Sequence, residues 1–184
     1  MATPRRIFRL YDRLKADAPL IAEFLAAKGD KIPGTVNLLM KGDAAKLLAK
    51  WGEEMYELCG VLDGSHDDPF TMESTQTYYW ASLYSVTLGA DWDSLRFDEQ
   101  RRVAATCGIS TIPELRTAVD RLVAQGAPAA KPEKLFLLWC VAFHLYEAKT
   151  PVEDRFSLEQ ICEIDLQDMK KREYLQPVLA AVPE

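Results

Sequence analysis

The chain has 184 residues, enough for one compact domain with a substantial core, and its 48% hydrophobic and 27% charged residues exclude a disordered or fibrous protein. Its 22 basic and 28 acidic side chains leave a net charge of −6, and no stretch is rich enough in Lys or Arg to follow a phosphate backbone, so polymeric nucleic acid is not the expected ligand. The cysteines Cys59, Cys107, Cys140 and Cys162 form no C-x-x-C pair, the N-terminal segment lacks the apolar core of a signal peptide, and no apolar run is long enough to span a bilayer. The expectation is a cytoplasmic protein with no membrane contact.

Apolar residues recur at helical intervals over 5–27, and Asp17 to Pro19 suggests two short helices or one bent helix. The Gly- and Pro-containing segment 29–42 reads as irregular. Asp43 can cap a helix over 44–61 whose apolar stripe is Leu47, Trp51, Met55, Leu58 and Leu62, with Lys50, Glu54, Glu57 and Val61 along its margin. The turn-rich break 63–69 follows, with Asp68 as N-cap and Pro69 as the first residue of a helix reaching about 88. On that helix Glu73, Gln76, Trp80, Leu83 and Thr87 share one face. A short connection makes the two helices antiparallel neighbours and draws Glu54 and Glu57 toward Glu73 and Gln76.

Further helices are expected over about 94–107 and 111–125, the second with a Thr111 to Glu114 capping box. Residues 126–132 form a linker or a tight interhelical loop. A fully buried helix is expected over 132–149 and an amphipathic one over 157–174, before a short apolar end. No period-2 alternation of any length appears, so the fold class is all-α and the domain count is one.

Oxygen ligands repeated at i and i+3 on two neighbouring helices suit a hard divalent cation. The motif Lys41-Gly42, then Lys50-x-Gly52-Glu53-Glu54-x-x-Glu57, then Glu73-x-x-Gln76-x-x-Tyr79 resembles the phosphoribosyl-ATP pyrophosphohydrolase branch of the all-α NTP pyrophosphohydrolases, relatives of the MazG-like enzymes. The resemblance covers about residues 38–95, leaving 96–184 as a helical extension. It implies a helical bundle of the MazG-like type with additional C-terminal helices, and magnesium, or manganese, as cofactor. It also implies cleavage between the α- and β-phosphates of a small nucleotide with release of pyrophosphate, and a homo-oligomer, most simply a dimer.

Carried over by position, Glu54, Glu57, Glu73 and Gln76 are the metal ligands, and Glu53 is the spare carboxylate that activates water. Lys41, Lys46 and Lys50 are phosphate contacts, and Trp80 is a nucleotide contact. Gln76 stands where the family carries aspartate, and Trp80 where a histidine often follows; an amide carbonyl can ligate a hard cation but brings no charge. A chain whose site has decayed at Gln76, kept as a nucleotide-binding or structural subunit, is the alternative. The segment 157–174, with Asp165, Lys170, Lys171 and Arg172, faintly resembles the nucleotide-contacting late helix of MazG-type proteins. His66 reads as a solvated loop residue within reach of a phosphate, and His144 as a core histidine.

Overall fold

The computed structural model describes residues 2–183. Among them there is no strand, and the helices in order are α1 Pro4–Lys28, α2 Gly34–Lys41, α3 Ala44–Asp63, α4 Phe70–Thr87, α5 Phe97–Ala104, α6 Ile112–Ala124, α7 Pro132–Lys149, α8 Leu158–Lys170 and α9 Gln176–Ala181. The all-α expectation holds, and no helix among the described residues is long and apolar enough to cross a membrane. The chain divides into two compact units, one built from its two ends, Met1–Asp43 with Leu158–Glu184, and one from Ala44–Ser157.

In the terminal unit α1 begins at Thr3, whose side chain accepts the Arg6 N–H, and stops at Gly29, where φ of 75° forms a left-handed cap. Its buried stripe runs through Ile7, Leu10, Tyr11, Leu14, Ala18, Ile21 and Leu25. Pro19 lies inside this helix and does not end it: the stripe continues on both sides of the proline, so burial outweighs the one backbone hydrogen bond lost there. The segment read as irregular contains α2, which runs from Pro33 at its N-cap to a left-handed Gly42. Helices α2, α8 and α9 pack against α1. Tyr11 donates its hydroxyl to both oxygens of Asp165, at 2.9 and 2.8 Å. Asp165 is therefore an internal partner of Tyr11, and burial first of all lifts its pKa to about 7.

The larger unit is organised on α7. Residues 135–143, Leu145 and Tyr146 are all buried, as an apolar run at every helical position requires. Trp139 donates its indole N–H to the Ser74 carbonyl at 3.0 Å, Phe70 stacks on Tyr146 with centroids 3.7 Å apart, and the Tyr84 hydroxyl reaches the Ala130 carbonyl at 2.6 Å. These contacts seat α4 on α7, while α6 packs on both α3 and α7. The approach of α6 to α3 needs Gly52, since a Cβ there would sit 2.9 Å from Val123 Cγ2. Helices from the segment read as an extension thus share one core with α3 and α4.

Two local expectations change. The helix expected to reach residue 107 ends at Ala104, where the Thr106 hydroxyl and Cys107 thiol turn back to the carbonyls of Val103 and Ala104. His144, expected in the core, is exposed on α7.

Candidate metal centre

Helices α3 and α4 are joined by six residues and pack along one another as antiparallel neighbours. The turn between them has a defined construction. Gly64, at φ 78°, sits just past α3; its N–H reaches the Val61 carbonyl, and Ser65 N–H reaches the Gly60 carbonyl at 2.8 Å. This is a Schellman arrangement, which needs a residue tolerant of the left-handed region. Asp63 reinforces it by accepting from the Ser65 hydroxyl at 2.6 Å and from Arg116 of α6 at 2.7 Å.

The turn folds back over α3 because residue 60 has no side chain. A Cβ on Gly60 would lie 2.7 Å from the Cβ of His66, closer than real Cβ atoms approach. That close passage brings the imidazole to Glu57, one turn earlier on α3, and to Glu73 on α4. Among the described residues, one ligand atom from each of Glu57, His66 and Glu73 lies within 4.8 Å of the other two.

Glu73 is fully buried, and neither of its carboxylate oxygens has a hydrogen-bond partner. Desolvation first, then the charges of Glu57 and Glu54, push its pKa up to about 7. His66 Nε2 lies 2.9 Å from Asp68 Oδ2 and 3.7 Å from Glu73 Oε1. This nitrogen is buried and makes no hydrogen bond. Asp68 is thus engaged with His66, and the α4 N-cap is Pro69, one residue later in the cap than expected.

Glu54 borders this group. Trp80 donates its indole N–H to Glu54 Oε1 at 3.1 Å, while Oε2 is buried without a partner. Burial first and Glu57 next raise its pKa. Gln76 is half-buried one turn beyond Glu73. Glu53, by contrast, is exposed and paired with Lys50, so the structure leaves it outside the cluster. Lys50 feels the negative charges of Glu53, Glu54 and Glu57, which raise its pKa. Lys46 is exposed on the first turn of α3, and Lys41 is exposed at the end of α2, in the terminal unit.

Chemically, the buried oxygens of Glu73 and the buried Nε2 of His66, none of them hydrogen-bonded, meet an exposed carboxylate, Glu57. Each such atom costs about 1–3 kcal/mol, and a cation offsets that cost. The donor set therefore fits a divalent ion. Comparison with family models, with curated proteins and with solved structures finds no match to this chain. From sequence alone His66 is expected to be a solvated loop residue. The signal for its role was Gly60, a poor helix former inside α3, four residues before the capping Gly64.

Proposed function

We propose that the chain is a divalent-ion-dependent nucleotide pyrophosphohydrolase that cleaves the α–β phosphoanhydride of a small nucleotide and releases pyrophosphate. The observation that carries the reading is Glu73: a fully buried carboxylate with two unpartnered oxygens, facing Glu57 and His66 across two antiparallel helices. The E-E-x-x-E and E-x-x-Q spacing supports the same chemistry through its resemblance to phosphoribosyl-ATP pyrophosphohydrolase.

Glu57 and Glu73 hold the ion, with the Gln76 carbonyl as a neutral ligand one turn on. A bound divalent ion supplies charge stabilisation at phosphorus and activation of water. Trp80 fixes Glu54 through one oxygen and leaves the other available to accept a proton from water; with Glu53 paired to Lys50, Glu54 is the better placed base. Lys50 and Lys46, one turn apart on α3, supply positive charge for phosphate oxygens. A homo-dimer belongs to the same proposal. The alternative, a chain that binds nucleotide without turnover, draws on one observation: position 76 carries an amide and therefore no charge.

The test is pyrophosphate release from phosphoribosyl-ATP and a panel of nucleoside triphosphates, with magnesium or manganese. Turnover by the wild type that disappears in Glu73→Gln supports the enzyme. Turnover that arises only after Gln76→Asp supports the decayed site, and wild-type turnover unaffected by Glu73→Gln sinks both.

A further inference from the structure

A site made only of carboxylates and water favours a transition ion over magnesium less than one that adds an imidazole nitrogen. Magnesium takes oxygen ligands in near-ideal octahedral geometry and keeps much of its water, whereas imidazole nitrogen suits manganese, cobalt and zinc. The cluster described above is not made of oxygen alone. The Schellman turn at Gly64 and the side-chain-free surface of Gly60 carry His66 over α3, where its imidazole meets Glu57 and Glu73.

Three observations make His66 part of a built site. Its Nε2 is buried and makes no directed hydrogen bond, although an Asp68 oxygen lies 2.9 Å away. That nitrogen lies 3.7 Å from an oxygen of Glu73, a carboxylate buried completely and itself without a partner. The loop that carries it is held by Asp63, which bonds Ser65 and Arg116, so the imidazole is pre-positioned rather than free to swing.

We infer that His66 is a third protein ligand alongside Glu57 and Glu73, and that it makes the centre selective for a first-row transition ion, of the manganese, cobalt or zinc type, over magnesium. Asp68, 2.9 Å from the same nitrogen, places a further carboxylate oxygen beside this group. The inference rests on the reading of Glu57 and Glu73 as a cation site, but it does not depend on which reaction the site performs.

The experiment is metal binding to the full-length chain by equilibrium dialysis with Mg2+, Mn2+, Co2+ and Zn2+, joined to pulsed electron paramagnetic resonance of the bound Mn2+. In the wild type, Co2+ and Zn2+ bind more tightly than Mg2+ by about tenfold or more, and the Mn2+ spectrum carries coupling to a nitrogen nucleus. In His66→Gln that coupling disappears and Co2+ and Zn2+ affinity falls by about tenfold or more, the scale on which even an outer-shell partner acts. Affinity for Mg2+, which takes oxygen ligands, falls much less. Circular dichroism melting verifies that the variant is folded, and the nitrogen coupling in the wild type needs no variant at all.

Absence of nitrogen coupling in the wild type overturns the inference, as does an equal loss of every ion in His66→Gln. A variant that weakens nucleotide binding while keeping all ion affinities also overturns it and makes His66 a phosphate contact. In each of those cases pyrophosphate release and its loss in Glu73→Gln still stand, so the functional reading survives. Ion affinities unchanged in Glu73→Gln remove the centre and the selectivity together.

Discussion

Trp80 and Glu54 are joined by a single hydrogen bond, indole N–H to Oε1 at 3.1 Å, across the α3 and α4 interface. It donates to one oxygen of a buried carboxylate whose other oxygen has no hydrogen-bond partner. An aromatic ring that the sequence offers as a nucleotide contact is therefore also a support for the carboxylates.

Trp80→Phe keeps much of the apolar surface and removes the donor. Because this hydrogen bond lowers the Glu54 pKa against desolvation and Glu57, its loss raises that pKa further. The expected cost is about 1–3 kcal/mol of stability at pH 7, smaller at pH 5 where Glu54 is more protonated. Denaturant unfolding at the two pH values measures it; an equal loss at both would assign the effect to packing.

Glu73→Gln should separate stability from function. The folded-state pKa of Glu73, about 7, is above the ordinary value of 4.5, so the folded protein binds the proton more tightly. Stability from this group is greatest below about 4.5, falls as pH rises toward 7, and stays low above it. Removing the charge should raise the melting temperature of the metal-free protein at pH 8 by a few degrees, equivalent to about 1–2 kcal/mol. The same variant should lose the thermal stabilisation that divalent ions give the wild type.

Gly60→Ala sets local propensity against tertiary fit. In an isolated helix the change gains about 1 kcal/mol. Here the new Cβ meets the His66 Cβ at 2.7 Å and must displace the turn. Helix content by circular dichroism should hold while affinity for Mn2+ drops; unchanged affinity would show that the close passage at Gly60 is not what seats His66.

The terminal unit offers a separate pH test. Burial raises the Asp165 pKa from 3.8 to about 7 despite the two contacts from Tyr11. A raised carboxyl pKa means stability that is present below about pH 4 and is lost as pH climbs to about 7. The stability of Asp165→Asn relative to wild type should therefore grow across that window by on the order of 3 kcal/mol. Tyr11→Phe should steepen the wild-type loss. Unfolding free energies measured every half pH unit compare the three proteins.

Much of this arrangement is legible in the residues alone. Helical periodicity, the Thr111 capping box and the apolar run in α7 are local features, and the helices they imply form close to the expected bounds. The spacing of Glu54 and Glu57, and of Glu73 and Gln76, follows from 3.6 residues per turn, and a six-residue connection is enough to make those helices neighbours.

What the residues do not reveal depends on contacts between positions far from local spacing. Glu53 and Glu54 are adjacent and chemically identical, yet one pairs with Lys50 at the surface and the other is buried against Trp80; only the packing of α3 on α4 separates them. His144 is exposed although the residues on either side of it in α7 are buried. Asp165 is an internal group because Tyr11, 154 residues away, faces it. His66 becomes a member of the cluster because Gly60 lets a capped turn lie flat on the helix it has just left. Periodicity places side chains on a face of their own helix, whereas burial and pairing are decided by what the rest of the chain packs against that face.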